Sequence, residues 1–192
     1  MRALLLSLIA GLFLLPVYAQ KKITLRSVDK KLDSVKHYQK ILIVGEGGMQ
    51  ARMYMDNLSA ELIKALKSQN IECKYEYLGD QHKVDTDITL KKAASWPHDA
   101  VLRFSPLTAF ERSQVHVNNA PVMGSNGTSY VPVTSEMQQF LVNDFDITLN
   151  EGTETIWSAR LLTVIEFGKL TVYRRIRKVI LDDMEKQNVL PH

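Results

Sequence analysis

The fold is decided by the stretch Ile41-Leu42-Ile43-Val44, which runs into Gly45-Glu46-Gly47-Gly48. Four consecutive β-favouring or apolar residues, closed by a glycine, are typical of a short strand buried on both faces. The glycine-rich segment predicts a turn into a helix over about 50–69. In that helix, apolar residues recur at every fourth position from Tyr54 to Leu66 and form one stripe.

The residues that follow this helix predict the rest of a first α/β layer. Ile71 to Leu78 alternates apolar and polar side chains, as a half-exposed strand near a sheet edge does. Asp85 or Asp87 can cap a short helix that ends before Trp96-Pro97. Ala100 to Phe104 is a third strand, so the first half reads β-α-β-α-β with right-handed crossovers.

The last third predicts a hairpin and a helix. Phe140 to Leu149 and Thr155 to Ile165 are two strands joined by a short turn around Gly152. A final amphipathic helix follows Gly168 and runs to about Gln187. The sequence therefore predicts one α/β domain over 40–192, a mixed open sheet with packed helices and Ile41–Val44 as its central strand. Residues 20–39 are predicted to form an N-terminal arm.

The segment 105–139 is predicted to be a loop-rich excursion from this domain. It contains many turn formers and only short alternating pieces, and it is too long for a plain connection. Because exposed loops on a rigid scaffold often carry recognition, we expect partner contacts here. The candidate contact residues are His116, Asn118, Asn119, Asn126 and Tyr130. Asn126-Gly127-Thr128 is also a glycosylation sequon, although a turn is the simpler interpretation.

The first 19 residues are predicted to be a cleaved signal peptide. Arg2 precedes an apolar run through Leu15 that is shorter than the roughly 20 residues needed to span a bilayer. The residue after the predicted cleavage site is Gln20 and not the cysteine of a lipoprotein. We therefore expect a periplasmic or secreted protein with no transmembrane segment in the mature chain.

Charge and cysteine content exclude some classes of function. The 24 basic and 21 acidic residues give a net charge of +3, which offers little reason to expect nucleic-acid binding. Cys73 is the single cysteine, so the chain has no internal disulfide and no thiolate cluster.

Gly45, Gly47 and Gly48 are a candidate anion-binding turn, because helix N-termini with bare backbone bind phosphate. The spacing does not match a dinucleotide or P-loop motif, and Glu46 would repel an anion. A tight turn that needs glycine is the alternative.

Other clusters of reactive side chains have simple structural explanations. Asp80, His82, Asp85 and Asp87 could hold a metal, but their spacing matches no metal motif, and solvated loop charges explain them. The basic run from Arg174 to Lys178 could meet anionic lipid, although the wet face of a helix is the simpler interpretation. We predict no metal site, no cofactor and no catalytic residue.

The order of elements and several local patterns resemble a known group. They are the strand Lys40–Val44, the helix segment Tyr54–Leu62, the strand entry Pro97–Leu102 and the hairpin segment Glu154–Arg160. The chain resembles bacterial envelope proteins and lipoproteins with a domain like the amino-terminal domain of TolB, which include accessory proteins of cell-wall synthesis and secretion. The resemblance spans most of the mature chain and implies no catalytic motif. The missing anchor cysteine departs from the lipoprotein members.

The leading functional hypothesis is a non-enzymatic envelope protein that binds a protein or cell-wall component. A hydrolase whose site is assembled from dispersed residues, with His116 or His82 in it, is the alternative. Ser135 or Ser105 could meet His116 or His98 only once the chain is folded. A third hypothesis is a structural subunit that oligomerises through an exposed strand edge. The oligomeric state cannot be read from the sequence.

Overall fold

Six strands and three helices make up the part of the chain that the structure describes. The computed structural model describes residues 23–28, 30–124, 127–166 and 170–191, with backbone only at 114–124, 127–136 and 138. In chain order the elements are β1 (Ile23–Ser27), β2 (Lys40–Glu46), α1 (Met49–Ser68), β3 (Glu72–Gly79), α2 (Thr86–Ala93), β4 (Ala100–Gly124), β5 (Gly127–Glu151), β6 (Glu154–Glu166) and α3 (Thr171–Lys186).

The strands form one mixed sheet in the order β1-β6-β5-β4-β2-β3. β2 is parallel to β3 and β4, whereas the other neighbours are antiparallel. The predicted α/β class with a mixed open sheet and a C-terminal hairpin and helix is therefore confirmed. The placing of Ile41–Val44 at the centre is wrong, because β2 lies next to the β3 edge.

β2 is nevertheless buried on both faces, because helices cover it from opposite sides. Ile41 and Ile43 lie in the main core with α1, whereas Leu42 and Val44 pack with Leu78 and with Ala93 of α2. All four side chains of the predicted strand are 0% exposed. An apolar run therefore indicates that both faces of a strand are buried, and it does not indicate that the strand is central. A strand next to the edge is also buried on both faces when helices cover both sides of the sheet.

The main core lies between the sheet and the helices α1 and α3. Tyr54 of α1 stacks on Phe145 of β5 at 5.1 Å between ring centroids and meets Tyr173 of α3 edge-on at 5.4 Å. The Tyr54 hydroxyl accepts a hydrogen bond from the buried Thr163 hydroxyl at 3.2 Å. Burial of these aromatic rings dominates the local stabilisation, and the hydroxyl pair avoids an unsatisfied polar group.

The segment predicted as an N-terminal arm is fixed to the body where the structure describes it. β1 pairs antiparallel with β6, from Ile23 opposite Thr163 to Ser27 opposite Ala159. Beyond it, the Leu32 amide donates to the Gln187 carbonyl at 3.0 Å, at the C-terminal end of α3. Residues 23–27 are thus the edge strand of the same sheet that follows in the domain.

The prediction of a loop-rich excursion over 105–139 is wrong. β4 and β5 are each 25 residues long and pair continuously from Val101 opposite Asn150 to Gly124 opposite Gly127. The turn formers that suggested loops are accommodated within the strands. A register shift falls between Asn118 and Asn119, and proline is tolerated in strands that have a free edge.

Candidate functional site

A crevice of about 390 Å³ lies at the carboxyl ends of the parallel strands. Its walls come from the turn after β2, the loop after β3 and the part of β4 beyond its pairing with β2. The crossover from β2 leads to β3 on one side, and the crossover from β3 returns to β4 on the other. The crevice therefore lies where the connections diverge, which is the usual place for a ligand in open α/β sheets.

Gly47 shapes the wall of the crevice at the entry to α1. Its φ is +123°, and a Cβ there would lie 2.6 Å from Cγ of Pro106 and 2.8 Å from Cβ of Ala51. Its amide donates to the Gly79 carbonyl at 2.9 Å, and its carbonyl accepts from the Tyr77 hydroxyl. Only glycine fits both the backbone conformation and the close approach of β4.

Glu46 does not line the crevice, and Arg103 is its counter-ion. Two nitrogens of the Arg103 guanidinium donate to the Glu46 carboxylate, Nη2 to Oε2 at 2.9 Å and Nε to Oε1 at 3.3 Å. The Ser105 hydroxyl also donates to Glu46, whose side chain is only 3% exposed. The expected repulsion between Glu46 and an anion in the glycine turn is therefore weakened, because bidentate pairs of this kind are strong.

The crevice offers both hydrogen-bond donors and a carboxylate. Gly48 caps α1 without a side-chain hydrogen bond, and the first turn carries no acidic residue, so its amides are open to a ligand. Asp80 lines the opposite wall and accepts from the His82 amide at 3.0 Å. Open amides beside a carboxylate suit a neutral polar group better than a free anion.

The candidate residues of the sequence analysis are separated by the fold. Gly47 and Gly48 line the crevice. Gly45 packs against α1 instead, where a Cβ would lie 3.0 Å from Cγ of Met55. His116, Asn118, Asn119 and Tyr130 lie on the extension of β4 and β5, where the backbone alone is described. Asn126 lies outside the described residues. The structure thus places the glycine turn and the partner candidates in different regions.

The crevice also contains residues that the sequence analysis did not connect with the glycine turn. The loop Asp80–His82 and the segment Pro106–Ala109 reach it from β3 and β4. The signal for them was available, because three predicted strands in β-α-β-α-β order bring their carboxyl ends to one edge. The register shift around Leu107, within the segment of β4 that lines the crevice, leaves no mark in the sequence pattern.

The described side chains do not assemble a hydrolytic or metal site. His98 has its ring Nδ1 2.6 Å from the Trp96 carbonyl, and no hydroxyl or thiol among the described side chains is hydrogen-bonded to a histidine ring. No three described His, Cys, Asp or Glu residues are grouped to hold a metal. Asp85 of the predicted acidic cluster caps α2 by accepting from the amides of Asp87 and Ile88.

Cys73 lies on β3 in a half-buried position. Burial raises the pKa of its thiol to about 11. A thiol with so high a pKa is mostly protonated at neutral pH, and the thiolate is the reactive form. Cys73 therefore packs as an apolar group, as its place on the inward face of β3 predicts.

The basic run on α3 is held by acidic neighbours. Arg177 and Arg174 approach Glu61 of α1 at 3.2 and 3.7 Å, and Lys178 pairs with Asp182 at 2.6 Å. The buried residues of α3, including Ile176 and Ile180, form its other side. The run is the solvated face of an amphipathic helix packed on α1.

The most distinctive element is a two-stranded extension of β4 and β5. β2 pairs with β4 only as far as Phe104, and β6 pairs with β5 only from Phe140. We call residues 113–124 and 127–139 the ribbon. At roughly 3.4 Å per residue it is about 40 Å long, and within the described ranges its two strands pair only with each other.

The ribbon also differs in charge from the rest of the chain. No Asp, Glu, Lys or Arg occurs from Ser113 to Ser135, although 23% of the whole chain is charged. Arg112 and Glu136 lie at the two ends of this uncharged stretch. The sequence carried this signal, which composition averaged over the whole chain conceals.

None of the helices within the described ranges is long and apolar enough to cross a membrane.

Comparison with known proteins adds a weak similarity of fold. No protein-family model matches the chain, and no curated protein matches it. One similar solved structure is the PelC dodecamer from Paraburkholderia phytofirmans, at 12% identity and a TM-score of 0.48, covering 89% of this chain and 100% of that one. A point variant of the same PelC gives 13% identity and the same TM-score of 0.48, with the same coverage. Neither likeness carries an argument about this chain.

Proposed function

We propose that this chain is a non-enzymatic accessory protein of the bacterial envelope that binds a protein or envelope component through its ribbon. One observation carries the proposal: β4 and β5 continue about 40 Å past the last neighbouring strand, and no other described strand pairs with the outer edge of either. A strand edge of this kind is a template on which another chain can add a strand.

The energetics of a hairpin support this role. An isolated two-stranded hairpin is at best marginally stable in water, because each strand has only one partner. The three ribbon side chains that the structure describes, Ser113, Met137 and Gln139, are all exposed. Strand addition would supply the missing hydrogen bonds and a second neighbour.

The compartment in this proposal rests on the sequence. The predicted signal peptide at residues 1–19 and the resemblance to TolB-like envelope proteins both favour the periplasm or the extracellular space. The mature chain isolated from its source cells should begin at Gln20, which intact-mass measurement reads directly. A mass that includes residues 1–19 would contradict this part of the proposal.

The ribbon can be removed without touching the body. Arg112 and Phe140 are directly opposite each other, so a two-residue Asn-Gly turn can replace residues 113–139 and close a shorter hairpin. We expect this variant to lose its crosslinked envelope partners in intact source cells, as read by mass spectrometry. Its thermal transition should stay near that of the parent, because the core is unchanged.

A matched control changes the opposite end of β5. Asn-Gly in place of Gly152-Thr153 alters another two-residue turn of the same sheet, between Glu151 and Glu154. This control should keep the partners. If the ribbon-less protein folds and still captures the same partners, the ribbon is not the binding element.

A further inference from the structure

We infer that the chain which adds to the ribbon is a second copy of this protein, with the β4 edge of one ribbon pairing to the β5 edge of the next. This inference rests on the proposed function, because it names the partner of the same element. The crevice plays no part in it.

The two free edges of the ribbon are complementary in direction. β4 runs outward and β5 returns, so the pair is antiparallel. When two ribbons lie side by side in the same orientation, β5 of one is antiparallel to β4 of the next. Repetition therefore continues the same antiparallel order that β4, β5 and β6 have in the body.

The other two edges of the sheet, at β1 and β3, carry features that hinder strand pairing, whereas the ribbon edges have few of them. β1 is only five residues long and carries the exposed Arg26. The β3 edge carries Glu72, Lys74 and Glu76, with an ion pair between Lys74 and Glu76 at 2.9 Å. Short length and charge are common devices against unwanted strand pairing.

The ribbon has little of this protection. It is long, and it is free of fixed charge from Ser113 to Ser135. Pro121 and Pro132 each remove one backbone donor, but both lie in its distal half. The proximal half keeps its donors, so copies should pair between the body and the register shift at Asn118–Asn119.

The two edges belong to different strands, which determines the type of assembly. Contact between unlike edges is heterologous, so it leaves one free edge of each kind at the ends of any open assembly. Such a contact is completed when the copies close into a ring. We therefore expect more than two copies in the assembly, since a two-fold dimer would pair like edges.

Cysteine pairs can distinguish these arrangements in the mature protein. In a Cys73→Ser background, one set of chains carries Ser113→Cys, Val115→Cys or Val117→Cys on β4, and a second, differently tagged chain carries Gln139→Cys on β5. Disulfides form only when Cα atoms come within about 7 Å, and a strand neighbour satisfies this limit. The three β4 positions allow for the unknown register between copies.

The expected result is a disulfide that joins β4-cysteine to β5-cysteine chains in at least one mixture. Each variant alone should form little, because like edges lie two strands apart. Light scattering on the parent should give a mass of three or more chains. Val117→Lys should reduce the measured mass to that of one chain. Ser34→Lys, which introduces a lysine at an exposed site on the body, should leave the mass unchanged.

Three results would overturn the inference. The first is a parent that stays monomeric at all accessible concentrations. The second is a disulfide in single variants only, which indicates pairing of like edges. The third is an assembly that survives removal of the ribbon. A monomer whose ribbon still captures an envelope protein in cells would sink this inference while the proposed function stands.

Discussion

Gly47 is the residue at which the turn from β2 into α1 depends on the absence of a side chain. Its positive φ and the 2.6 Å approach of Pro106 both exclude a Cβ. Gly48, the next residue, has an ordinary φ of −79° and space around it, with the nearest atom to a Cβ at 3.9 Å. The structure therefore requires glycine at position 47, whereas a side chain can be accommodated at position 48.

Gly47→Ala should destabilise the protein by about 1–3 kcal/mol, because it adds backbone strain and a clash with β4. Gly48→Ala should cost less than about 1 kcal/mol, the usual penalty for alanine at a helix cap. Urea unfolding followed by circular dichroism measures both. Equal losses for the two variants would contradict this account of the turn.

Arg103 is the counter-ion of a buried carboxylate. Arg103→Met should cost about 2–3 kcal/mol, because the buried Glu46 carboxylate would lose its bidentate partner. The matched control is Arg160→Met, which breaks a similar bidentate contact with Asp144 (2.9 and 2.6 Å) on a side chain that is 58% exposed. That control should cost less than Arg103→Met, because the Arg160 side chain lies largely in water, where ion pairs contribute little.

The double variant Glu46→Gln with Arg103→Met separates charge from packing. Removing both charges should recover part of the loss, because no uncompensated carboxylate remains in the interior. Unfolding in urea at neutral pH compares the three variants. No recovery would mean that Arg103 stabilises the sheet through packing of its side chain instead.

At the scale of elements, the ribbon and the body should differ in how readily they open. β2 has strand neighbours on both sides and helices on both faces. Among the strands that the structure describes, each strand of the ribbon has one neighbour within a single chain. Local opening is easiest where contacts are few, so the ribbon should open before any other strand.

Hydrogen exchange followed by mass spectrometry tests this difference. In the assembled protein, peptides from 113–139 should be protected, and dilution to single chains should speed their exchange by about tenfold or more. Peptides from 40–46 should exchange equally slowly in both states. A ribbon that stays protected in isolated chains would mean that it is stabilised within one copy.

The elements were predictable from the sequence to different degrees. The runs and stripes at Ile41–Val44 and Tyr54–Leu66 report burial directly, so the first β-α-β unit and the helix at Met49–Ser68 agree with prediction. The ribbon was missed because Asn, Gly and Pro, which elsewhere make turns, lie within strands that have a free edge. The neighbour order of the sheet depends on pairings across the whole chain, which local patterns do not contain.

At the scale of the whole molecule, the crevice too could be predicted from the sequence only in part. Gly47 was predictable as a turn residue, and its position beside Asp80 and Pro106 follows only from three strands ending at one edge. The pairing of Glu46 with Arg103 joins residues that are 57 positions apart. No spacing rule links them, and so the charge expected at the glycine turn could not be placed by sequence reasoning alone.

The pairing of β1 with β6 has a consequence for how the chain reaches its destination. Ile23 is opposite Thr163, so the sheet cannot be completed until nearly all of the chain has been synthesised. Contacts between residues so distant in sequence slow folding, because a long loop must close first. Under the export proposed above, a chain that crosses a membrane through a narrow translocation channel must stay unfolded until it has passed. Because β1 can pair only after β6 has been made, the topology delays completion of the sheet, and a completed sheet would block translocation.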